Sequence, residues 1–126
     1  MQATHQHLSK LSVLKKRTDF VRIRNDGKKW VSPTLILQSC ACDTDFILCG
    51  FTATKRVGNA VTRNRVKRRL RSAAFDVLPD KAKSGHAYVL IGRKETQYAP
   101  ADKIRKDLIW CLKRLECLNK GEKDND

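Results

Sequence analysis

Between positions 55 and 71 the chain carries Lys55, Arg56, Arg63, Arg65, Lys67, Arg68, Arg69 and Arg71, and from Phe46 to Phe75 it has no Asp or Glu at all. A solvated helix ordinarily interleaves the two signs, because Glu–Lys pairs at i,i+4 support it. This segment forgoes that support and carries like-charge repulsion, so the chemistry it suits is the holding of an anion. At 100° per residue, Val66, Leu70, Ala73, Ala74 and Val77 fall in one sector of about 100°, a core face. Asn64, Arg65, Lys67, Arg68 and Arg71 fall on the opposite side, with Asn64 one turn from Arg68 and Lys67 one turn from Arg71. Arg63 and Arg65 stand in the first turns, where the helix dipole disfavours cations. With the free N–H groups after Gly58-Asn59 they suit a phosphate. The planar guanidinium fork can hold two phosphate oxygens or stack on a base, which an ammonium cannot do.

Other reactive residue types form no comparable constellation. Metal-dependent phosphodiester hydrolysis calls for clustered carboxylates, and the acids here are scattered, Asp43 and Asp45 reading as turn residues. His5 and His7 lie near the start of the chain and His86 at the start of a strand, so no acid–base pair is evident. Cys40, Cys42, Cys49, Cys111 and Cys117 include no Cys-x-x-Cys pair and have no neighbouring His. They read as small buried hydrophobes in a reducing compartment. No catalytic residue and no metal ligand is expected in the chain.

The elements that must position the basic segment fit one small domain, since 126 residues support one modest core. Lys and Arg number 27 against 13 Asp and Glu, a formal net charge of +14. Folding does not need that excess, and a polyanion would relieve its self-repulsion. No apolar run approaches the ~20 residues of a membrane span. Residues 1–13 read as a flexible basic arm, 14–119 as the domain and 120–126 as a polar tail.

A short helix is predicted from Thr18, as N-cap, through Arg24, with a stop at Asn25-Asp26-Gly27. Thr34–Ala41 and Phe46–Thr54 read as strands paired in an antiparallel hairpin, with a shorter strand at Lys28–Val31. Asn59 caps the long basic helix and Pro79 closes it. His86–Gly92 reads as a buried strand. A last helix runs from Asp102 to about Asn119, with Ile104, Leu108, Cys111, Leu112, Leu115 and Leu118 as its core stripe. The sum is an α+β domain with helices packed on a central, mostly antiparallel sheet.

The stretch from Lys55 to Arg71 (KRVGNAVTRNRVKRRLR) closely resembles the signature of the protein subunit of bacterial ribonuclease P: a basic pair, Gly-x-Ala-Val, Arg-Asn-Arg, an aliphatic residue, Lys-Arg and a further Arg. Leu14–Phe20, Gly27, Tyr88–Ile91 and Arg93 extend the resemblance to most of the chain. It implies a fold like domain 2 of ribosomal protein S5, with a left-handed βαβ crossover around the basic helix. It implies a protein cofactor of a cytoplasmic bacterial endoribonuclease that removes the 5′ leader from precursor tRNA, needing no other protein partner and no membrane. The RNA subunit with Mg²⁺ would carry the catalysis. By position, Lys55, Arg56, Asn59, Arg63, Asn64, Arg65, Lys67, Arg68 and Arg71 would meet the catalytic RNA. Phe20, Ile36 and Gln38 would line a cleft between the sheet and this helix for the single-stranded leader. Arg24 and Gln38 stand where the family commonly has aromatics, and Ser72 where it often has an acid. That implies less stacking and more hydrogen bonding or charge in the cleft. The residues themselves leave open a structural RNA-binding protein of ribosomal type. A DNA major-groove helix fits less well, since its face lacks the small, apolar and amide residues that read base edges.

Overall fold

The run HAYVLIG is apolar at nearly every position, the pattern of a strand covered on both faces, and it becomes the middle of a five-stranded sheet. The structure, a computed structural model, describes residues 11–119. In chain order its elements are β1 (Leu11–Val13), α1 (Arg17–Asp26), β2 (Lys28–Val31), β3 (Leu35–Ala41), β4 (Ile47–Thr52), α2 (Ala60–Lys81), β5 (His86–Gly92), a 3-10 turn (Lys94–Gln97) and α3 (Ala101–Arg114). The strand order is β1-β4-β5-β3-β2. β1–β4 and β4–β5 are parallel, β3–β5 and β2–β3 antiparallel. The sheet is therefore evenly mixed where a mostly antiparallel one was expected.

The expected hairpin of the two runs on either side of Asp43-Thr44-Asp45 does not form. β5 is inserted between β3 and β4 and pairs with both, Leu37 with Leu90 and Phe51 with Leu90. The true hairpin is β2–β3, with Val31 opposite Ile36. Leu11–Val13, expected within a flexible arm, is a strand on β4, Ser12 opposite Leu48. Residues 1–10 of that arm, with His5 and His7, and the tail 120–126 lie outside the described residues.

Helix limits differ from expectation for local reasons. α1 begins at Arg17 after Lys16, so Thr18 sits inside it and caps nothing. Pro79 lies within α2. It removes one N–H, with only Asp80 and Lys81 to follow, and the Ala82 N–H still donates to the Leu78 carbonyl at 3.1 Å. α3 stops at Arg114 because Glu116 turns to φ 60. The N–H groups of Glu116 and Cys117 then donate back to the Lys113 and Leu112 carbonyls, a Schellman closure. Leu115 and Leu118 reach the core from beyond the helix.

The two sheet faces are unequally covered. α2 and α3 bury Leu35, Leu37, Ile47, Cys49, Tyr88 and Leu90 on one side. On the other, α1 covers only part of the sheet, with Ile23 and Leu14 against Ala87 and Val89. That partial cover is what leaves room for a site. Burial pushes the Cys49 thiol up to about 12 and the Cys111 thiol up to about 11. Both are inert at neutral pH.

The link from α3 to the β2–β3 turn is polar and buried. The Asp107 carboxylate accepts from the Thr34 N–H at 3.1 Å and its hydroxyl at 2.8 Å, and pairs with Lys103 at 3.1 Å. Asp107→Ala is expected to cost about 2 kcal/mol in urea unfolding by orphaning the Thr34 donors. Lys103→Ala, with a half-exposed side chain, should cost under about 0.5 kcal/mol. Equal losses would show that the ion pair rather than the turn contacts matters. A second measurement concerns alkali. The folded thiols resist ionisation while the unfolded ones titrate near 9.0. Their contribution is complete below about pH 9 and is lost as pH rises toward the folded values. The urea midpoint should fall through that window, and less steeply in Cys49→Ala.

Candidate nucleic-acid interface

Gly58 opens the basic helix at φ 153, where a Cβ would also press on Thr62 Cγ2 at 2.9 Å. The Asn59 side chain then caps the helix, accepting from the Thr62 N–H at 2.9 Å. Arg63 turns back and donates to the Gly58 carbonyl at 2.8 Å. Asn59 and Arg63, both expected to meet RNA, are thus engaged first in building the turn.

The core stripe is as predicted: Val66, Leu70, Ala73, Ala74 and Val77 are buried, and Leu78 joins them. On the outer side the structure brings Asn64, Lys67, Arg68 and Arg71 together in a concavity of about 450 Å³ with Val13, Leu14, Phe20 and Phe51. Arg65 is exposed further round the helix, outside this concavity. None of the three ion pairs among the described residues uses a cation of the 55–71 segment. Arg71 lies over the Phe75 ring at 5.3 Å. Arg69 is different: its guanidinium donates to the Thr96 carbonyl at 2.8 Å and the Ala99 carbonyl at 2.5 Å, tying α2 to the turn before α3.

Phe20 leads from this concavity into the next. Its ring lies over β4 at Gly50, where a Cβ would fall 2.5 Å from its Cε1 and Cζ. The second cleft, about 570 Å³, lies between α1 and the thinly covered sheet face. Lys15, Arg17 and Arg24 stand among its walls, and Gln38, Thr52, Val89 and Ile91 among its lining. The cleft was expected between the sheet and the basic helix; it opens instead on the α1 face, and the α2 stripe borders it. Ile36 is one step along the same strand face, in a third hollow of about 540 Å³ with Arg56, Arg93 and Lys94. Thr54 and Ile91 belong to both. Phe20, Ile36 and Gln38 thus share one path with Arg56, while Lys55 is exposed beside it. Lys15, Arg17, Thr52, Thr54, Val89 and Ile91 were not anticipated. The even-numbered alternation of β4 with Thr54 beyond it, and the odd-numbered alternation of β5, are the signal that could have found the last four.

Arg93 is anchored where the path ends, donating to the Ser32 carbonyl at 2.7 Å. The Arg93 N–H donates to the Thr96 hydroxyl at 2.9 Å, and that hydroxyl to the Thr34 carbonyl at 2.5 Å. Among the described residues no three His, Cys, Asp or Glu stand together to hold a metal ion, and no helix is long and apolar enough to cross a membrane. Asp76 and Asp102 face Arg105, and Asp107 is committed to Thr34.

A small α+β domain with a basic helix whose cations form no ion pair among the described residues, bordering an apolar path rimmed by cations and a single acid, Glu95, has the surface of a polyanion-binding protein. The chain belongs to the ribonuclease P protein family, whose model matches residues 8–116. It is 44% identical over 117 residues to the ribonuclease P protein component of Paramagnetospirillum magneticum, covering 89% of this chain and 88% of that one. Against that of Ruegeria pomeroyi it is 43% identical over 110 residues, covering 85% and 88%. The ribonuclease P protein of Staphylococcus aureus superposes with a TM-score of 0.71 at 25% identity, covering 85% of this chain and 97% of that one. That of Thermotoga maritima, at 23% identity, shares the fold with a TM-score of 0.67 over 83% and 96%. The chain is accordingly the protein component of an endoribonuclease that processes tRNA, and it works with the ribonuclease P RNA. This sets aside the ribosomal-type alternative.

Gly50→Ala tests the seat of Phe20. The ring is the far end of a flexible side chain and can swing away, so the fold should persist. Single-stranded RNA binding should weaken by about 1 kcal/mol or more through loss of one stacking surface. Unchanged affinity measured by fluorescence anisotropy would take Phe20 out of the interface.

Proposed function

We propose that the chain lays the single-stranded 5′ leader of precursor tRNA along the path from Phe20 over Gln38 and Ile91 to Ile36. In this reading the outer side of α2, with Lys55 and Arg56, docks on the catalytic RNA. Continuity carries it: the α1 cleft shares Phe20 and Phe51 with the concavity beside α2 and Thr54 and Ile91 with the hollow at Ile36. Cations outside any ion pair among the described residues line the path at both ends. An apolar floor with charged rims accepts a strand whose bases lie inward and whose phosphates lie outward. Gln38 replaces one stacking ring by an amide, which adds hydrogen bonding at the middle of the floor.

Hydrolysis is assigned to the RNA subunit with Mg²⁺. The donor set supports that assignment, since Asp76 and Asp102 are engaged by Arg105, and Asp107 by Lys103 and Thr34. This chain's part is to hold and to screen phosphate charge, which lets two RNAs approach one another. No further protein is called for, and the setting is the cytoplasm, where tRNA is processed in bacteria.

The test adds the protein to a bacterial ribonuclease P RNA at low Mg²⁺, with precursor tRNAs of graded leader length. Stimulation of 5′ cleavage should grow with leader length until the path is filled. The log–log salt slope of leader binding should be about −0.7 per phosphate held. Arg65→Ala with Arg68→Ala should leave the fold intact and sharply reduce holoenzyme assembly. Stimulation indifferent to the leader would sink the groove assignment; full activity in the double variant would sink the helix face.

A further inference from the structure

The chain has two tryptophans, and both are at one place. Arg114, in the last turn of α3, holds its Cζ 4.7 Å from the Trp30 ring centroid and 5.5 Å from that of Trp110. Trp30 is on β2 opposite Leu37, hence on the sheet side that α3 covers, away from the α1 cleft. The patch sits at the β2 edge of the sheet, whereas the α2 stripe borders Val13 and Leu14 at the β1 edge. It belongs to neither surface described above.

Its composition is unusual for inert surface. α3 buries Ile104, Leu108, Cys111 and Leu112, yet leaves Trp110, its largest apolar side chain, 46% exposed. One helical turn to either side stand exposed Lys106 and Lys113, and β2 adds exposed Lys28, two residues from Trp30 and on the same face of the strand. The nearest acid on that helix, Asp107, is buried and committed to Thr34 and Lys103. Aromatic rings steadied by a guanidinium and ringed by ammonium groups match a base and its flanking phosphates. A second copy of the chain is a poor occupant, because Lys28 and Lys29 guard the edge strand and each copy carries +14.

We infer that Trp30, Arg114 and Trp110 form a second RNA contact, a stacking platform for an unpaired base of the catalytic RNA, with Lys28, Lys106 and Lys113 holding its phosphates. The inference rests on the reading that this chain docks on that RNA. A single-stranded leader in the α1 cleft lies on the other sheet face, so the catalytic RNA is the occupant that can reach the β2 edge as well.

Because the chain has no other tryptophan, intrinsic emission reports on this patch alone. Titration of the full chain with ribonuclease P RNA should change the emission saturably, and a leader oligonucleotide alone should not. Trp110→Ala should weaken affinity for the RNA about tenfold, the order expected for one lost base–aromatic stack, and Trp110→Phe should recover most of it. Full RNA affinity in Trp110→Ala would overturn this inference alone. So would an emission change produced by the leader oligonucleotide, or by protein concentration in the absence of RNA. Failure of the wild-type chain to bind the RNA at all would overturn both this inference and the proposed docking.

Discussion

A run of like charges along α2, with no carboxylate before Asp76, has to be outweighed by what the helix buries on its other side. Each unfavourable i,i+4 pair costs roughly 0.2–0.5 kcal/mol. Each fully buried Val or Leu contributes roughly 1.5–3 kcal/mol. Val66, Leu70, Ala73, Ala74, Val77 and Leu78 therefore hold the helix down with a margin. The contact is close because Gly92 of β5 has no side chain; a Cβ there would collide with Val66 Cγ1. Of the eight cations from 55 to 71, Arg63 and Arg69 are converted into structural ties to backbone carbonyls. None of the remainder is in an ion pair among the described residues, and Arg71 alone of them rests on a ring, that of Phe75.

A second set of contacts fixes where the path across the sheet ends. Asp107 of α3 holds Thr34, Thr96 of the 3-10 turn holds the Thr34 carbonyl, and Arg93 holds that of Ser32. Two chain segments, α3 and the 3-10 turn with its capping residue Arg93, thus meet at the turn between β2 and β3. Its consequence is positional: Arg93 is held beside Lys94 and Arg56 at one end of the path. Packing of α3, far from the cleft, is in this way coupled to the placement of a cation in it.

What the sequence made legible follows from what is local. The bounds of β5, the cap at Asn59 and the buried stripe of α2 depend on residues within a turn or two of one another. The choice of neighbour for β3 does not. Nothing near Ala41 or Phe46 says that a strand 40 residues later will come between them, so adjacency in sequence suggested a hairpin. Pro79 misled because a proline rule for helix interiors bears lightly on a last turn. Charge pattern pointed to the α2 stripe, and resemblance to Phe20, Ile36 and Gln38, which the fold brings onto one path. Neither could find Thr52, Thr54 or Ile91, whose role depends on how little of the sheet α1 covers. Nor could either show that Arg69 serves the fold and Arg68 the surface, since both are arginines on one helix and differ only in what lies opposite.

Phosphate contacts carry no sequence information, while amides and ring edges can read bases. Along the path the cations outnumber every other polar group, and the floor is mostly Phe20, Val89, Ile91 and Ile36. In the proposed reading such a surface grips the leader and tolerates its sequence, which is what a processing enzyme requires if its substrates share a tRNA body and differ in their leaders. Gln38 is the exception, a side-chain amide set among apolar neighbours. With Arg24 on the wall above it, the balance moves from stacking toward hydrogen bonding and charge. Binding in this chain should accordingly owe more to ionic strength, and less to the identity of stacked bases, than a cleft with aromatic residues at both positions.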